Sequence, residues 1–287
     1  MKIRAIILSA LILCGISAVI MYSRAAQPQQ KSSVITQAIN DKNTPMVIKN
    51  LILKMKEQME VNDDQFPELI KEVENYTNSC ADSASVAVLH SMLAEMYQNY
   101  FQRNQWTINQ RTQLSGYIPE DIRVWTSNLF TDKIKEEIDL SLRPTALLQN
   151  TPVSKFKDIL EIGKDSQTLR PTLYEFLAFR ALDIQPTVQI YKDLIAFQNK
   201  EPNMKSVLLT ELDYLRFLYG DKRDKESFVA YMNALDELYR NLASQNYAAE
   251  ILIAKLDLVS GSMFRYVSTQ WDSIKAEEVK LCEEGIK

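Results

Sequence analysis

Glycine is scarce in this sequence, which has six glycines in 287 residues. Globular proteins contain about 7% glycine, so this chain has roughly a third of the usual amount. Tight hairpin turns and β-bulges depend on glycine, whereas helices use it mainly where they end. The scarcity therefore favours an all-α fold. The length allows one large domain or two modest ones.

Proline and glycine also occur where helices would begin and end. Pro171, Pro186 and Pro202 each precede an apolar stretch, and Gly220 and Gly261 follow two such stretches. Proline near the start and glycine after the end are typical of helices. No alternating apolar and polar run bounded by hairpin turns is evident. The predicted helices cover residues 34–39, 46–59, 66–79, 86–100, 118–138, 151–162, 173–182, 188–198, 204–219, 226–243, 247–259 and 262–284.

Helices of about 10–20 residues joined by short turns predict stacked antiparallel pairs. Residues 231–239 have the mixture of large, small and aromatic side chains found in tetratricopeptide repeats. There is no strict period of about 34 residues. We therefore predict an all-α, irregular tetratricopeptide-like helical-repeat (α-solenoid) array over residues 34–287. A division into two lobes near 143–170 is an alternative.

The first 25 residues have the pattern of a targeting segment. Lys2 and Arg4 precede an apolar run at 5–22, and Ser23-Arg24-Ala25 offers small residues to a signal peptidase. We expect a cleaved secretory signal, followed by a disordered polar tether at 26–33. Two alternatives stay open: the run is long enough to remain as a signal anchor, or Cys14 carries a lipid. The predicted location is the periplasm or cell envelope of a Gram-negative bacterium, with or without an anchor.

Charge and cysteine content restrict the partners. The 33 basic and 37 acidic residues give a net charge of −4, and loss of the basic signal makes the remainder more acidic. This disfavours nucleic acid and anionic membranes as partners, and leaves membrane contact only through residues 5–22 or a lipidated Cys14.

After the signal, Cys80 and Cys282 are the only remaining cysteines. We expect two buried free thiols rather than a bridge between them.

The residues needed for common catalytic sites are nearly absent. His90 is the only histidine, and we expect it to be a packed or surface residue of a helix rather than a base or ligand. There is no Cys-x-x-Cys, Gly-x-Ser-x-Gly or phosphate-binding glycine loop. We therefore predict no catalytic, cofactor-binding or metal-binding residues and no cofactor. Three acidic pairs are the remaining candidates for glycosidase chemistry, although all lie on predicted helices among lysines, where solvated faces are the rule: Glu136 with Glu137, Asp236 with Glu237, and Glu250 with Asp257.

The segment 169–182, LRPTLYEFLAFRAL, resembles a signature in the N-terminal helical region of large bacterial alpha-2-macroglobulin-like envelope proteins. The segments 46–56, 147–160, 191–197, 212–219 and 237–239 resemble others in the same order, so the resemblance spans most of residues 40–287. The signature residues are expected to be structural: Leu169, Arg170, Pro171, Thr172, Leu173, Tyr174, Leu177, Ala178, Arg180, Ala181 and Leu182.

The resemblance implies a helical region that precedes a series of macroglobulin β-domains. Some family members carry a Cys-x-Glu-Gln thioester that traps proteases, whereas Cys282-Glu283-Glu284 departs from that motif. The chain thus resembles the front portion of such a protein, truncated before the macroglobulin and thioester domains. We do not expect any residue of this chain to perform the protease inhibition and defence that are the family's role.

Three functions remain open. The first is a non-catalytic helical interaction or spacer module at the front of an alpha-2-macroglobulin-like protein. The second is a stand-alone exported helical-repeat protein that binds a peptide, a glycan or an envelope protein through an aromatic or apolar groove. The third is a helical glycoside-active enzyme with two converging carboxylates. The first two share the expectation of a protein partner.

Overall fold

A computed structural model describes residues 35, 38–39, 43–61, 65–112, 118–160, 163, 165–200, 203–222, 224–261 and 279–283. Within these ranges the fold is all-α and contains no strand, as predicted. The α-helices are α1 (Thr44–Val61), α2 (Phe66–Ser79), α3 (Ser83–Arg103), α4 (Gln105–Ile108), α5 (Ser127–Leu142), α6 (Thr145–Gln149), α7 (Ser166–Leu169), α8 (Leu173–Ile184), α9 (Val188–Gln198), α10 (Met204–Tyr219), α11 (Lys225–Leu242) and α12 (Ala249–Ser260).

Helix α3 is the centre of the first half of the molecule. It packs most extensively against α5 and also contacts α1, α2 and α8. Its predicted apolar stripe is buried from Leu89 to Tyr100, and small residues such as Ala87 and Ala94 are buried beside it. Apolar residues therefore cover more than one face of α3, which is typical of a helix enclosed by neighbours.

An aromatic cluster joins α3 to α5. The Phe130 side chain is fully buried, and its ring centroid lies 5.3 Å from that of Trp125 and 5.7 Å from that of Tyr100. Phe101 stacks on the same ring at 5.7 Å, and Tyr97 lies 5.7 Å from Trp125. Aromatic rings at these separations attract one another in addition to the hydrophobic effect. This cluster is the densest part of the core.

The predicted helix beginning at 118–121 is wrong at its start. A 3₁₀ turn occupies Ile122–Val124, and the α-helix begins only at Ser127. The Trp125 indole donates to the Pro119 carbonyl at 2.7 Å, and the Arg111 guanidinium donates to the Trp125 carbonyl at 2.7 Å. These two bonds hold the backbone extended at Trp125 and bring its ring into the core. A helical register there would break them.

The predicted break at Arg143-Pro144 is confirmed, because α5 ends at Leu142 and α6 begins at Thr145. The predicted helix over 151–162 is wrong, since the structure has a 3₁₀ turn at Val153–Phe156. The Val153 amide donates to the Pro171 carbonyl at 2.9 Å, and the Leu173 amide donates to the Thr151 carbonyl at 2.8 Å. This short antiparallel bridge draws the chain away from a helical path.

The second half has the predicted alternation of caps and helices. Thr172, Thr187, Asn203 and Asp224 each accept a backbone hydrogen bond at the start of a helix. Side-chain oxygens at this position satisfy amides that have no partner within the helix. At the end of α10, a Cβ atom on Gly220 would lie 2.5 Å from the Arg216 carbonyl oxygen, so the residue must be glycine.

The buried apolar residues fall into one large cluster and two smaller ones. The large cluster runs from Ile35 to Phe197 and includes Leu148 and Phe156 of the 143–170 region. The second joins α10, α11 and α12, and the third contains Leu252, Val259 and Leu281. The division of the domain into two lobes near 143–170 stays a prediction.

The predicted signal segment at 1–25, the tether at 26–33 and most of the predicted terminal helix at 262–284 lie outside the described residues. Residues 279–283 are helical. Among the described helices, none has both the length and the apolar composition that a membrane span requires.

Candidate functional site

The signature segment forms the start of α8 and much of its buried face. Thr172 caps the helix, because its hydroxyl accepts from the Glu175 amide at 3.3 Å while the Glu175 carboxylate accepts from the Thr172 amide at 3.1 Å. This reciprocal pair is a capping box. The Gln198 side chain donates to the same carboxylate at 3.1 Å, so the cap also joins α8 to α9. The buried members of the signature are Leu173, Tyr174, Leu177, Ala178, Ala181 and Leu182.

The polar members of the signature segment connect α8 to other helices. The Arg180 guanidinium donates to the Ser91 hydroxyl at 3.0 Å and to the Glu95 carboxylate at 2.5 Å, both on α3. At the end of α7, the Leu169 carbonyl accepts from the Ser206 hydroxyl of α10 at 2.7 Å. The segment thus joins α3, α8 and α10 through hydrogen bonds.

Replacing Thr172 with alanine is expected to lower the free energy of unfolding by about 1 kcal/mol, because the Glu175 amide loses its acceptor. Thr187→Ala, which removes an ordinary cap from α9, is the matched control. The loss at Thr172 should be the larger, because Glu175 also loses the hydroxyl donor at 2.9 Å. Urea titration of both variants measures the difference, and an equal or smaller loss at Thr172 would show that the capping box adds nothing.

A shallow cleft of about 480 Å³ lies between α8, α9 and α10, which we call the α8–α10 cleft. The Tyr191 ring is stacked on Phe217 with centroids 5.4 Å apart and lies 5.2 Å from Tyr214. Phe217 is 39% exposed. The residues that line the cleft are Phe179, Leu182, Asp183, Pro186, Tyr191, Asp213, Arg216, Phe217, Gly220 and Asp221.

The charges in the cleft are mostly negative, with three carboxylates against the single guanidinium of Arg216. Arg216 donates to Asp213 at 3.2 Å. Neither the Asp183 carboxylate nor the Asp221 carboxylate makes a hydrogen bond or an ion pair within 4.0 Å with any other residue that the structure describes. Burial raises the pKa of Asp183 and of Asp213, although nearby arginines oppose the shift. Asp213 is therefore partly desolvated, whereas Asp183 and Asp221 are exposed residues whose carboxylates have no ion-pair partner among the described residues.

An arginine of the chain itself is stacked on one of the aromatic rings that line the cleft. The Arg170 guanidinium carbon lies 3.4 Å from the centroid of Phe179, one of the lining rings. Arg170 is an exposed residue, but its guanidinium group is partly buried. This burial lowers the pKa of Arg170, whereas the charges of Asp213 and Asp183 act in the opposite direction. A guanidinium stacked on an aromatic face and close to carboxylates is a favourable arrangement.

The only histidine belongs to a separate network between α2, α3 and α5. His90 Nδ1 lies 2.7 Å from Glu137 Oε2, and Lys133 Nζ lies 2.8 Å from Glu137 Oε1. The Glu137 carboxylate is almost fully buried. Tyr97 completes the network by donating to Glu74 at 2.7 Å, and burial followed by the Glu74 charge raises its pKa. Each of these polar side chains has a hydrogen-bond or ion-pair partner, so the network is of the kind that stabilises a fold.

In each of the three acidic pairs named from the sequence, at least one carboxylate contacts a lysine. Glu136 and Glu137 both contact Lys133. Asp236 lies 2.8 Å from Lys255, and Glu250 lies 3.9 Å from Lys205.

Cys80 and Cys282, the cysteines among the described residues, are both free thiols. The prediction that both are buried is wrong for Cys282, which is exposed, and Cys80 is half-buried. Within the described ranges, no group of three or more histidine, cysteine or acidic side chains is arranged to hold a metal ion.

The α8–α10 cleft was not anticipated from the sequence. Asp183 lies in the last turn of α8, and Asp221 lies just after the end of α10. Acidic side chains at helix ends are ordinarily solvated, so neither residue indicated a binding site. Phe217 and Tyr191 lie on apolar stripes that predict core packing. A usable signal was the excess of aromatic residues in 174–219, where Tyr174, Phe176, Phe179, Tyr191, Phe197, Tyr214, Phe217 and Tyr219 occur.

Comparison with known proteins gives no relative of this chain: no family model, no curated protein and no solved structure matches it.

Proposed function

We propose that this chain is an exported, non-catalytic helical interaction module, and that the α8–α10 cleft is its binding surface. The observation that carries the proposal is the exposed Phe217 ring beside carboxylates without ion-pair partners. Exposed aromatic residues in a concave surface are enriched where proteins bind partners.

The packing of the longer helices supports a helical-repeat arrangement. Successive long helices contact each other, as in α8 with α9 and α10 with α11. Alternate long helices also contact each other, as in α1 with α3, α3 with α8, and α10 with α12. Stacked antiparallel pairs give both kinds of contact and present an extended surface to a partner.

The segment 169–182 supports the narrower proposal that the module is the N-terminal part of an alpha-2-macroglobulin-like envelope protein. Its residues connect α3, α8 and α10, so the resemblance falls on a part of the fold that has a clear structural role. Sequencing the coding DNA beyond Lys287 tests this proposal. Macroglobulin-type β-domains encoded there would support it, and their absence would remove most of its support.

A glycoside-active enzyme is the second candidate, because Asp183 and Asp213 line one cleft together with three aromatic rings. Both carboxyl groups have a raised pKa owing to burial, as a catalytic acid would. The full chain should then release nitrophenol from aryl glycosides, and Asp183→Asn should stop the release. The interaction module predicts no release from either protein.

Site-specific photo-crosslinking tests the proposed function. A benzophenone amino acid is placed at Phe217 in the full chain, and at the exposed Leu53 of α1 as a control position. We expect one protein, identified by mass spectrometry, to crosslink from position 217 in the cells that make this chain. The adduct should be lost when unlabelled full chain is added in excess. Equal crosslinking from both positions, or none from 217, would contradict the proposal.

A further inference from the structure

We propose that the α8–α10 cleft binds a basic segment of a partner protein by placing an arginine or lysine side chain between Phe217 and the carboxylates of Asp183 and Asp221. This inference rests on the proposed function and names the chemistry of the partner. It follows from three observations: the charge of the lining, the exposed aromatic face and the guanidinium already stacked in the neighbourhood.

The first observation is charge complementarity. Asp213 is already paired with Arg216, whereas Asp183 and Asp221 have no ion pair with any described residue. Arg170 and Arg180 are the basic residues near Asp183; Arg170 is stacked on Phe179, and Arg180 is bound to Ser91 and Glu95. A cation entering the cleft would therefore meet carboxylates that are not yet neutralised. Asp183 and Asp221 are both exposed, so a cation can reach either carboxylate.

The second observation is the aromatic surface. Tyr191 packs under Phe217 at 5.4 Å and holds its ring in place, while the ring keeps 39% of its surface exposed. A cation over an aromatic face is attracted by the electrons of the ring. A neutral apolar side chain would gain the same contact but would leave the carboxylates without a counter-charge, so the cleft favours a basic side chain over an apolar one.

The third observation is the internal example. Arg170 stacks at 3.4 Å on Phe179, and its charge interacts with Asp213 and Asp183. The combination proposed for the partner thus already occurs once beside the cleft. A small metal ion is a poorer candidate, because no metal-binding group of acids was found among the residues that the structure describes.

Fluorescence anisotropy with synthetic peptides tests the proposal on the full chain. The probes share one frame of Gly, Ser and Leu and carry several Arg, Lys, Gln or Glu residues at the variable positions. We expect the Arg and Lys peptides to bind and the Gln and Glu peptides to bind at least about tenfold more weakly. Raising the salt from about 0.05 to 0.3 M should weaken binding of the basic peptides, because exposed charges are screened.

Matched variants locate the binding site. Asp183→Asn with Asp221→Asn, and separately Phe217→Ala, should each weaken the Arg peptide by about tenfold, the effect of losing a partly desolvated cation contact. Asp132→Asn with Asp139→Asn on α5 is the charge-matched control, and Trp106→Ala removes a more exposed aromatic ring elsewhere. Both controls should bind the Arg peptide as the parent chain does.

The failures are distinguishable. If the Gln or Glu peptides bind best and Phe217→Ala weakens them, the cleft is an interaction site but the inference of a basic partner is wrong. If no peptide binds while position 217 still crosslinks to one protein, the inference is again wrong and the proposed function stands. If no peptide binds and position 217 gives no adduct, both fail.

Discussion

Phe130→Ala is expected to lower the free energy of unfolding by about 3–5 kcal/mol, which is a large fraction of the stability of an ordinary domain. The Phe130 ring is fully buried and contacts four other aromatic rings, on α3 and on the segment before α5. Removing it leaves a cavity in the contact between α3 and α5, the most extensive helix–helix contact of the fold. Guanidinium titration followed by circular dichroism measures the loss.

Two further variants keep this prediction testable. Phe130→Leu keeps most of the volume and should lose less than about 1.5 kcal/mol, even if the alanine variant does not fold. Phe217→Ala removes the same side chain from an exposed position and should change stability by much less than Phe130→Ala. Equal losses at 130 and 217 would show that the aromatic cluster is not the centre of the core.

Glu137→Gln is expected to lower the free energy of unfolding by about 2 kcal/mol at neutral pH, because a buried amide replaces a carboxylate that accepts from His90 and Lys133. Glu136→Gln is the matched control. Glu136 contacts the same lysine at 3.0 Å but is exposed, so its replacement should change stability by no more than about 0.5 kcal/mol. Thermal unfolding of the two variants measures the difference, and equal effects would contradict the structural role of the buried carboxylate.

The same carboxylate predicts a pH dependence. Burial alone would raise the pKa of Glu137, but the hydrogen bonds and charges of His90 and Lys133 outweigh it and place the pKa below its ordinary value. A group with a lowered pKa in the folded state stabilises the protein fully above the unfolded pKa of about 4.3. That stability is lost as the pH falls through the folded pKa. The parent chain should therefore lose stability below about pH 4.3 more steeply than Glu137→Gln.

Helix bounds were predictable where the sequence itself marks them. The structure has α2, α9 and α10 at the predicted residues, because prolines and capping side chains fix their starts and apolar stripes fix their lengths. The errors at 118–126 and 151–162 have a different origin. Hydrogen bonds from Trp125 to Pro119 and from Val153 to Pro171 join residues that are not helical neighbours, and a local pattern does not contain them.

The candidate site was not predictable, because it depends on contacts between helices. His90 and Glu137 are 47 residues apart, and only the packing of α3 on α5 brings them together. Asp183, Phe217 and Asp221 share the cleft because α8 and α10 both lie against α9. The sequence has too few histidines and cysteines for the common catalytic sites built from these residues. Residue types alone did not show which acidic side chains would have no ion-pair partner.

The most direct test of the central claim is hydrogen–deuterium exchange of the full chain with and without the protein that crosslinks to position 217. The claim that the α8–α10 cleft is the binding surface predicts slower amide exchange in α8, α9 and α10 when the partner is present, with no change in α1 and α2. Slower exchange confined to α1 and α2, or no change in any helix, would contradict it.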